Sequence, residues 1–477
     1  MNVKDDYSIS KICCLGAGYV GGPTMAVIAD KCPKIEVTVL DINEERINEW
    51  NNVNLDKLPI YEPGLKEVIK KVRGKNLFFS TQFESVLAKS EMIFISVNTP
   101  TKTKGFGAGY ASDLKWVEAS ARQVAKYARN HTIVVEKSTL PVKTAQVIKD
   151  ILKSSQNNSK KDFTKNTFAI LSNPEFLAEG TAINDLNNPD RVLIGGDNPE
   201  SINLLKNIYK NWVPENKIIS TNLWSSELSK LTANAFLAQR ISSINSISAI
   251  CEATGAEVNE VSNAVGFDRR IGSKFLSAGP GFGGSCFKKD ILNLVYLSKY
   301  YGLNEVAEYW EQIIKINDWQ KKRISKIIVE KLFGTVAFKK IVILGFAFKA
   351  NTNDTRESPA IDIVKDLMEN GAEIIISDPK VSDIQISKDL GLEDSQKGKL
   401  SELGSWKFLE DFYQAVENAD AIVLLTEWNE YRDIDWEKIA KIMRSPSWVF
   451  DARSITKGEE IKNAGLNFWA IGNGSIN

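Results

Sequence analysis

The chain has 477 residues, with 60 basic side chains balanced by 60 acidic ones and a hydrophobic fraction of 43%. The length suits about three domains, the hydrophobic fraction is typical of a packed globular protein, and the balanced charge gives no sign of a nucleic-acid or membrane-surface binder. A single histidine, His131, excludes any site that needs two histidines from one chain, and we predict no metal site.

The five cysteines are too few and too scattered for a disulfide framework. The first ten residues lack the apolar core of a signal peptide. No uncharged apolar run approaches the roughly 20 residues that a bilayer-spanning helix needs. We therefore expect a cytoplasmic protein in a reducing compartment.

The first 222 residues alternate short apolar runs with amphipathic stretches. The runs typical of buried strands are KICCLG, VTVLD, LFFS, MIFISV, TIVVEKS, FAILSNPEF, RVLIGG and KIISTN. Helix-like stretches lie between them, for example at 21–31, 43–50 and 113–128. This alternation predicts βαβ units and a parallel sheet, and the polar residues 154–166 predict an exposed loop.

A long helix is predicted over residues 224–254, which contain neither proline nor glycine before Gly255. Between Lys230 and Glu252 its only charged residue is Arg240, so we expect burial between domains or subunits. A second strand series starts near residue 338 with KIVILGFAF, AEIIISDP, DAIVLLTEW and SWVFDAR. We therefore predict an α/β protein. Its two Rossmann-like, doubly wound parallel-sheet domains, 1–222 and 336–477, are joined by a long central helix and a helical middle domain, 223–335.

The segment GAGYVG has the G-x-G-x-x-G spacing of a dinucleotide-binding turn, with a strand before it and a helix after it. An ordinary glycine-rich βα turn is the alternative. Asp41 ends the next strand, where a carboxylate binds ribose hydroxyls, so NAD is favoured over NADP, although nearby Arg46 weakens that preference. The cofactor contacts predicted here are Gly16, Ala17, Gly18, Tyr19, Val20, Gly21, Asp41 and Arg46.

The motifs SVNTP and EKST end strands four and five, at the edge where open α/β sheets bind ligands. The cofactor contacts predicted at this edge are Val97, Asn98, Thr99, Pro100, Thr101, Ser138, Thr139 and Leu140. The segment NTPTKTKGFGAGYAS is either a lid over the ligand or a flexible surface loop. His131 precedes strand five at its opposite end, so we expect it to be structural.

The second strand series lacks the dinucleotide fingerprint, because the later glycines are missing after KIVILG. We therefore expect no second dinucleotide bound by the same device. Lys349 and Arg356 follow this strand closely and are able to hold phosphates.

Cys286 lies in GPGFGGSCFKKD, after four glycines and before Lys288 and Lys289. If the following ILNLVYLSKY is helical, the positive end of the helix dipole and the two lysines lower the pKa of this thiol. The other cysteines lie in a predicted strand or in predicted helices, and we expect them to be inert. A buried and unreactive Cys286 is the alternative.

A hydride-accepting cofactor and a nucleophilic thiol together suggest one chemistry. An alcohol is oxidised to an aldehyde, and the thiolate captures the aldehyde as a thiohemiacetal. A second oxidation gives a thioester, which water hydrolyses to the acid. The thiol is the covalent handle that makes aldehyde oxidation feasible without release of the aldehyde.

Eight motifs resemble the UDP-glucose 6-dehydrogenases of the UDP-glucose/GDP-mannose dehydrogenase family, the animal-type members more than the shorter bacterial ones. In chain order they are GAGYVGGPT, SVNTPT, EKST, SNPEFLAEGTA, WSSELSKLTANAFLAQR, GFGGSCFKKD, GFAFKANTNDTRES and FDAR. The resemblance implies NAD-dependent four-electron oxidation of UDP-glucose to UDP-glucuronate. It also implies an NAD-binding first domain, a dimerisation domain in the middle and a UDP-sugar-binding last domain.

The resemblance further implies catalytic roles for six residues. Cys286 is the nucleophile, Glu175 is the general base for thioester hydrolysis, and Asp290 orients the water together with Lys230. Lys230 and Asn234 share one helix face and contact the substrate and the developing oxyanion. Snorkelling of the lysine to solvent is the alternative for Lys230. The sixth residue, Thr139, lies near the cofactor.

The same resemblance implies further contacts. Those with the cofactor are Glu179, Cys286, Lys289 and Arg356. Those with the UDP-sugar are Glu175, Phe176, Leu177, Ala178, Glu179, Lys230, Asn234, Arg270, Ser277, Gly281, Phe282, Gly283, Phe348, Lys349 and Arg453. Arg270 is expected to reach the neighbouring subunit's site, which implies at least a homodimer, and a hexamer of three dimers in animal members. Ser277 stands where animal members have lysine, so that substrate contact is in doubt.

Three other functions stay open. The same chemistry on GDP-mannose or UDP-N-acetylmannosamine needs the same motifs. A two-electron decarboxylating dehydrogenase of the 6-phosphogluconate type shares the architecture but has no use for Cys286. An NAD-binding scaffold or redox sensor has no reason to keep Cys286, Lys230, Asp290 and Glu175 together.

Overall fold

A computed structural model describes residues 8–139, 141–157, 167–391 and 404–474. The chain divides into two compact units, and the division falls between Ala233 and Asn234. Among the described residues, no helix has both the length and the apolar character needed to cross a membrane. The three domain boundaries inferred from the sequence stay a prediction.

The first unit contains an eight-stranded sheet in the order β3-β2-β1-β4-β5-β6-β7-β8. Neighbouring strands are parallel, apart from β6 and β7, which run antiparallel. The eight strands match the eight apolar runs of the sequence. They are β1 Lys11–Leu15, β2 Glu36–Leu40, β3 Leu77–Ser80, β4 Met92–Ile95, β5 Thr132–Glu136, β6 Phe168–Ser172, β7 Val192–Gly196 and β8 Ile218–Thr221.

The helices of this unit cover both faces of the sheet. They are α1 Gly21–Lys31, α2 Glu44–Asn51, α3 Leu65–Val72, α4 Phe83–Leu87, α5 Lys115–Tyr127, α6 Thr144–Asn157, α7 Ala182–Asn187 and α8 Pro199–Tyr209. The prediction of a loop over 154–166 was wrong for residues 154–157, which belong to α6. No proline or glycine interrupts the helix before Asn157. The rest of that loop, 158–166, lies outside the described residues.

Side chains of the central strand β1 alternate between two cores. Ile12 and Cys14 belong to one apolar cluster, whereas Cys13 and Leu15 belong to the other. Because both faces are covered, the strand has the continuous apolar sequence of a parallel sheet rather than an alternating one. The strand order reverses between β1 and β4, which opens a crevice at the carboxyl edge of the sheet.

The predicted long helix is confirmed as α9, Leu223–Thr254, with 32 residues and a length of about 48 Å. It is followed by Gly255 in the left-handed region at φ +83°. Trp224, Leu228, Phe236 and Ile250 on this helix are 38%, 43%, 53% and 56% exposed. The burial of this helix between domains or subunits therefore stays a prediction.

The second unit contains a six-stranded, wholly parallel sheet in the order β11-β10-β9-β12-β13-β14. Its strands are β9 Lys340–Leu344, β10 Glu373–Ser377, β11 Ser405–Phe408, β12 Ala421–Leu424, β13 Trp448–Asp451 and β14 Asn467–Ala470. Its helices, besides most of α9, are α10 Val258–Gly266, α11 Phe287–Tyr300, α12 Asn304–Lys331, α13 Pro359–Glu369, α14 Asp383–Leu390, α15 Phe412–Ala415, α16 Trp436–Ile442 and α17 Gly458–Asn463. The predicted fold class is confirmed.

The single histidine lies at the amino end of β5, away from the carboxyl edge of the sheet. His131 is exposed, and its Nδ1 lies 2.7 Å from the hydroxyl of Thr167. This location agrees with the structural role expected from the sequence.

Two buried carboxyl groups lie next to each other in the first unit, at the end of β5 and on α9. Glu136 is 1% exposed, and neither of its oxygens receives a hydrogen bond from a described residue. Glu227 is 3% exposed and accepts the backbone N–H groups of Lys143 and Ala145 at the start of α6, at 2.7 and 2.9 Å. Burial, and then the charge of Glu227, raises the pKa of Glu136. Burial raises the pKa of Glu227 to about 7.

The free energy of unfolding should therefore fall as the pH rises through the folded-state pKa values of Glu136 and Glu227. A carboxyl whose pKa is raised by folding contributes stability below its unfolded pKa of about 4.3, and that contribution is lost as pH rises through the folded pKa. Glu136→Gln removes one of the two charges, so its stability should decline less than that of the wild type between pH 5.5 and pH 8. Chemical denaturation at both pH values measures the difference, with the exposed Glu67→Gln as control. Parallel pH profiles for Glu136→Gln and wild type would contradict the assignment.

Candidate active site

The glycine-rich turn between β1 and α1 has the backbone that its sequence predicts. Gly16 has a φ of +105°, and a Cβ there would lie 2.4 Å from the carbonyl oxygen of Ser96. A Cβ on Gly21 would lie 2.0 Å from the carbonyl oxygen of Gly16. At Gly18, in contrast, a Cβ would meet no atom within 4 Å. The turn is thus closed where it packs on the sheet and open at its middle glycine.

Helix α1 starts directly after this turn. Its N-cap is Val20, which supplies no capping side chain, and its first turn contains no acidic residue. The first N–H groups of an α-helix have no partner within the helix and favour anions. The end of α1 is therefore suited to a phosphate.

Asp41, directly after β2, is 9% exposed and holds the turn in place. Its carboxylate accepts the backbone N–H groups of Ala17 and Asn43, each at 2.9 Å. The guanidinium of Arg46 lies 3.4 Å from the same carboxylate. Arg46 is therefore paired with Asp41 in this structure, which reduces its attraction for a 2′-phosphate.

The ends of β4 and β5 are bonded to each other through their hydroxyl side chains. Ser138 donates to the carbonyl of Val97 at 2.7 Å, and Thr99 donates to the carbonyl of Thr139 at 3.1 Å. These bonds keep the two strand ends together beside the crevice. Of the other contacts predicted here, Asn98, Pro100 and Thr101 follow β4, and Leu140 lies outside the described residues.

The glycine-rich segment after β4 is organised by backbone hydrogen bonds. The backbone N–H of Lys102 donates to the carbonyl of Ala111, and the carbonyl of Lys102 accepts from the N–H of Gly109, both at 2.8 Å. The N–H of Asp113 donates to the carbonyl of Pro100 at 2.7 Å. The segment is therefore a hairpin-like loop with its own internal bonds, and its role as a lid stays a prediction.

Glu175, Thr139 and Lys230 form a buried polar group in the first unit. The Thr139 hydroxyl donates to Glu175 Oε1 at 3.4 Å, and Lys230 Nζ lies 3.7 Å from the same oxygen. Lys230 is 4% exposed, and its ammonium lies 5.3 Å from the ring centroid of Phe176. The lysine therefore points into the protein, and the snorkelling alternative was wrong.

The segment after β6 that carries Glu175 and Phe176 is fixed by two carboxylates. Glu62 accepts the backbone N–H of Gly180 at 2.8 Å and that of Ala182 at 2.6 Å. Asp185 accepts the N–H of Ala178 at 3.0 Å. The predicted contacts within this segment are Glu175, Phe176, Leu177, Ala178 and Glu179.

Lys137 is a buried lysine that the sequence analysis missed. It is 3% exposed, and its ammonium donates to Asn173 at 3.2 Å and to the Tyr209 hydroxyl at 3.4 Å. Burial lowers its pKa to about 8; the nearby charge of Glu175 opposes this shift, and that of Lys230 adds to it. The available signal was a lysine directly after an apolar strand, within the motif EKST.

In the second unit, Cys286 is the residue that immediately precedes α11. It is half-buried, and its sulfur lies 3.5 Å from the hydroxyl of Ser285. The helix expected after it is observed, so the thiol lies at the positive end of a helix dipole. Among the described residues, no group of three or more His, Cys, Asp or Glu is placed to hold a metal ion.

The other four cysteines have environments that suppress reactivity. All are buried. Burial raises the pKa of the Cys13 and Cys14 thiols far above their usual range, that of Cys32 to about 11, and that of Cys251 more modestly. Only the thiolate is a strong nucleophile, so Cys286 differs from the rest in both access and position.

The lysines after Cys286 are paired with carboxylates. Lys288 Nζ lies 2.9 Å from Glu357, and Lys289 Nζ lies 3.5 Å from Asp290. Both lysines are therefore engaged by carboxylates, whereas the sequence suggested that they act on the thiol. Asp290 is 1% exposed and accepts a hydrogen bond of 2.6 Å from the side-chain amide of Asn234.

Six of the residues predicted to bind the UDP-sugar form a cluster in the second unit. Arg453 donates to the carbonyl of Phe348 at 2.9 Å, and a Cβ on Gly279 would lie 3.3 Å from its guanidinium. A Cβ on Gly283 would lie 2.8 Å from that of Phe348. The ammonium of Lys349 lies 5.6 Å from the Phe348 ring. The predicted contacts in this cluster are Gly281, Phe282, Gly283, Phe348, Lys349 and Arg453.

The two remaining arginines of the prediction are each held by a nearby aspartate. Arg356 binds Asp354 through two nitrogens, Nε at 2.8 Å and Nη2 at 2.6 Å. The side chain of Arg270 is 88% exposed and binds Asp268, with Nη2 at 2.6 Å from the carboxylate. Arg240 of α9 donates to three carbonyls of the loop after Arg270, those of Ile271, Gly272 and Lys274. Ser277 in the same loop is exposed.

The second sheet also has a tight glycine turn, after β9, and the carboxylate beside this turn accepts more hydrogen bonds than Asp41 does. Gly345 has a φ of +94°, and Asp378 after β10 accepts the N–H groups of Phe346 and Ala347 at 2.7 and 3.1 Å. The same carboxylate also accepts from the Trp428 ring and from the backbone of Lys380 and Val381. Asp378 is thus engaged by donors of its own unit, and the absence of a second dinucleotide bound by the same device stays a prediction.

Three family models match the chain in sequence. They are the NAD binding domain of the UDP-glucose/GDP-mannose dehydrogenase family over residues 10–213, its central domain over 224–319 and its UDP binding domain over 342–458. UDP-glucose 6-dehydrogenase 4 of Arabidopsis thaliana is 55% identical over 474 residues, 97% of each chain. UDP-glucose 6-dehydrogenase of Bos taurus is 54% identical over 476 residues, 98% of this chain and 94% of that protein.

Solved structures give the same result at lower sequence identity. A UDP-glucose dehydrogenase from the archaeon Pyrobaculum islandicum superimposes with a TM-score of 0.82 at 26% identity, over 99% of both chains. Family models therefore match most of the chain, and the alignments with these relatives run along nearly its whole length. The chain belongs to the UDP-glucose/GDP-mannose dehydrogenase family.

Proposed function

We propose that the protein is an NAD-dependent UDP-glucose 6-dehydrogenase, which oxidises UDP-glucose to UDP-glucuronate in two steps. The observation that carries this proposal is the half-buried thiol of Cys286 at the start of α11, in a chain 55% identical to a UDP-glucose 6-dehydrogenase. The four other thiols are buried. None of the five cysteines, all of which lie among the described residues, forms a disulfide, which suits a reducing cytoplasm.

The first unit fits NAD. The middle of its glycine turn is open, the first turn of α1 lacks a capping side chain, and Asp41 lies beside the turn. These three features match a pyrophosphate, its charge and a ribose hydroxyl. When bound, NAD supplies the hydride acceptor for both oxidations.

Cys286 performs the covalent step between the two oxidations. The first oxidation converts the C6 alcohol of the sugar to an aldehyde. The thiolate then attacks the aldehyde carbon, which forms a C–S bond and leaves a thiohemiacetal oxyanion. After the second oxidation the carbon is held as a thioester, and attack by water breaks the C–S bond and returns the thiolate.

Proton transfer is assigned to two buried groups, one in each unit. Lys230 lies beside Glu175 and Thr139, where an ammonium stabilises negative charge on the substrate oxygen and Glu175 takes a proton from water. Asp290, which Asn234 fixes within the second unit, is assigned a role in orienting water from the family resemblance. His131 lies at the opposite end of β5 and takes no part.

The UDP-sugar is assigned to the second unit and to a partner subunit. Arg453, Phe348 and Lys349 form one cluster with the glycine-rich loop, and cations there suit a diphosphate. Arg270 is exposed on a loop that Arg240 fixes, so it can extend beyond its own subunit. We propose a homodimer at least, in which Arg270 contacts the neighbouring subunit's substrate.

Asp41 should determine the choice of dinucleotide. Asp41→Ala removes the ribose acceptor and frees Arg46, so the KM for NAD should rise about tenfold or more, and NADP should become a relatively better substrate. Steady-state kinetics with both dinucleotides measures this, with the exposed Glu44→Ala as control. An unchanged KM for NAD in a variant with normal thermal stability would refute the role.

The stoichiometry of the reaction tests the proposed function directly. With limiting UDP-glucose and excess NAD, two NADH should form per sugar, measured by absorbance. GDP-mannose, UDP-N-acetylmannosamine and 6-phosphogluconate are assayed in parallel. One NADH per UDP-glucose, or a faster reaction with another of these compounds, would overturn the proposal.

Cys286→Ser should separate the two oxidations. A serine hydroxyl stays protonated near neutral pH and is a weaker nucleophile, so steady-state turnover should fall at least about 10³-fold. NAD binding, measured by fluorescence titration, should be largely retained, because the substitution replaces one atom of the side chain. Cys251→Ala, which removes a buried thiol of α9, is the matched control and should keep most of the activity. Wild-type turnover in Cys286→Ser would remove the thiol from the mechanism.

A further inference from the structure

The loop that leads to Cys286 has almost no side chains with which to anchor itself. Four of the six residues 279–284 are glycines. Its only large side chain is Phe282, which is 4% exposed and packs edge-on against Phe287 at 5.9 Å. A glycine-rich loop loses much conformational entropy when it is ordered, so its position must be fixed through its backbone.

Three buried side-chain amides provide that fixation from one side. Asn317 of α12 accepts the N–H of Phe282 at 2.8 Å and donates to the carbonyl of the same residue at 3.1 Å. Gln320, also on α12, donates to the carbonyl of Gly279 at 2.9 Å. Asn245 of α9 accepts the N–H of Gly279 at 2.8 Å. All three amides are at most 2% exposed.

The two amides of α12 are three positions apart, so they lie on the same helix face. That face is buried, yet it carries polar groups where an apolar contact would suffice for packing alone. Asn245 keeps its Nδ2 without a hydrogen-bond partner among the described residues. An unsatisfied buried donor is destabilising, which argues that the bond to Gly279 has a use beyond packing.

The other side of the loop is held by the segment that also carries substrate residues. The N–H of Gly284 donates to the carbonyl of Arg356 at 2.8 Å. A Cβ on Gly283 would lie 2.6 Å from the carbonyl oxygen of Glu357. Gly281 has a φ of +132°, and a Cβ there would lie 2.9 Å from Asn317 Oδ1. The loop is therefore fitted closely between the amides and the segment from Phe348 to Glu357.

We propose that Asn317 and Gln320, with Asn245, are positioning residues for the oxidation. Their amides fix the backbone from Gly279 to Phe282, and thereby the place from which the Cys286 thiol reaches the sugar carbon. None of the three needs to touch the substrate. The inference rests on the proposed function for its kinetic consequence, but its structural consequence can be measured without substrate.

The test uses the full-length protein with Asn317→Ala and Gln320→Met. The second variant keeps the side-chain volume and removes the bond to Gly279, together with the longer bond that Gln320 accepts from Arg323 at 3.4 Å. It serves if Asn317→Ala does not fold. Ser325→Ala is the matched control: Ser325 lies on α12, is 6% exposed and donates to Asp366 at 3.1 Å, away from the loop.

The first measurement is the rate at which iodoacetamide labels Cys286, followed by mass spectrometry across a range of pH. The limiting rate at high pH, where the thiol is ionised, should rise severalfold in the two amide variants, because a released loop exposes the half-buried sulfur. The control should match wild type. This readout needs no substrate, so it tests the positioning even if UDP-glucose is not oxidised.

The second measurement is kinetic. The kcat for UDP-glucose should fall about 10- to 100-fold, as expected when a reacting group is misplaced by about 1 Å, while the KM for NAD stays unchanged. Thermal midpoints of the variants are compared with that of Ser325→Ala. If either amide variant had the labelling rate and the kcat of the wild type, the amides would only stabilise the fold, whether or not the thermal midpoint was lower. That result would overturn the proposal.

Discussion

The structure depends on one constraint of parallel sheets, that the carboxyl ends of the strands lie along a common edge. In the first sheet the reversal of order between β1 and β4 brings the glycine turn next to the ends of β4 and β5. In the second sheet it brings the end of β9 next to that of β12. Residues far apart in sequence, such as Phe348 after β9 and Arg453 after β13, meet along this common edge.

Much of this arrangement could be predicted from the sequence, because its signals are local. Gly16, Gly18 and Gly21 follow a strand at a fixed spacing, and the structure gives each the backbone environment that the spacing requires. Cys286 was identified from its glycine-rich flank and the helix after it, and α11 begins at the next residue. Local sequence also predicted the length of α9, since its stop signal, Gly255, follows directly.

The contacts that sequence reasoning missed are long-range and involve buried polar groups. Lys137 meets Tyr209, and Glu136 meets Glu227, across separations that no local pattern encodes. The sequence predicts that the lysines after Cys286 act on the thiol, whereas Lys288 is bound by Glu357, 69 positions away in the chain. Hydrophobic periodicity predicts the apolar faces of helices and strands, but it does not predict which distant polar groups will contact each other.

The acidic residues after the second strand of each sheet differ in one respect that decides what each crevice can accept. An ionised carboxylate offers about four lone-pair positions to hydrogen-bond donors. Asp378 receives five donors from its own unit, so none of its positions is left for a ligand. Asp41 receives three, one of them a long contact from the half-exposed Arg46, and keeps capacity for an incoming hydroxyl. The six strands of the second sheet have the order of the first six strands of the first sheet, and the remaining capacity of this one carboxylate is a difference between the two crevices.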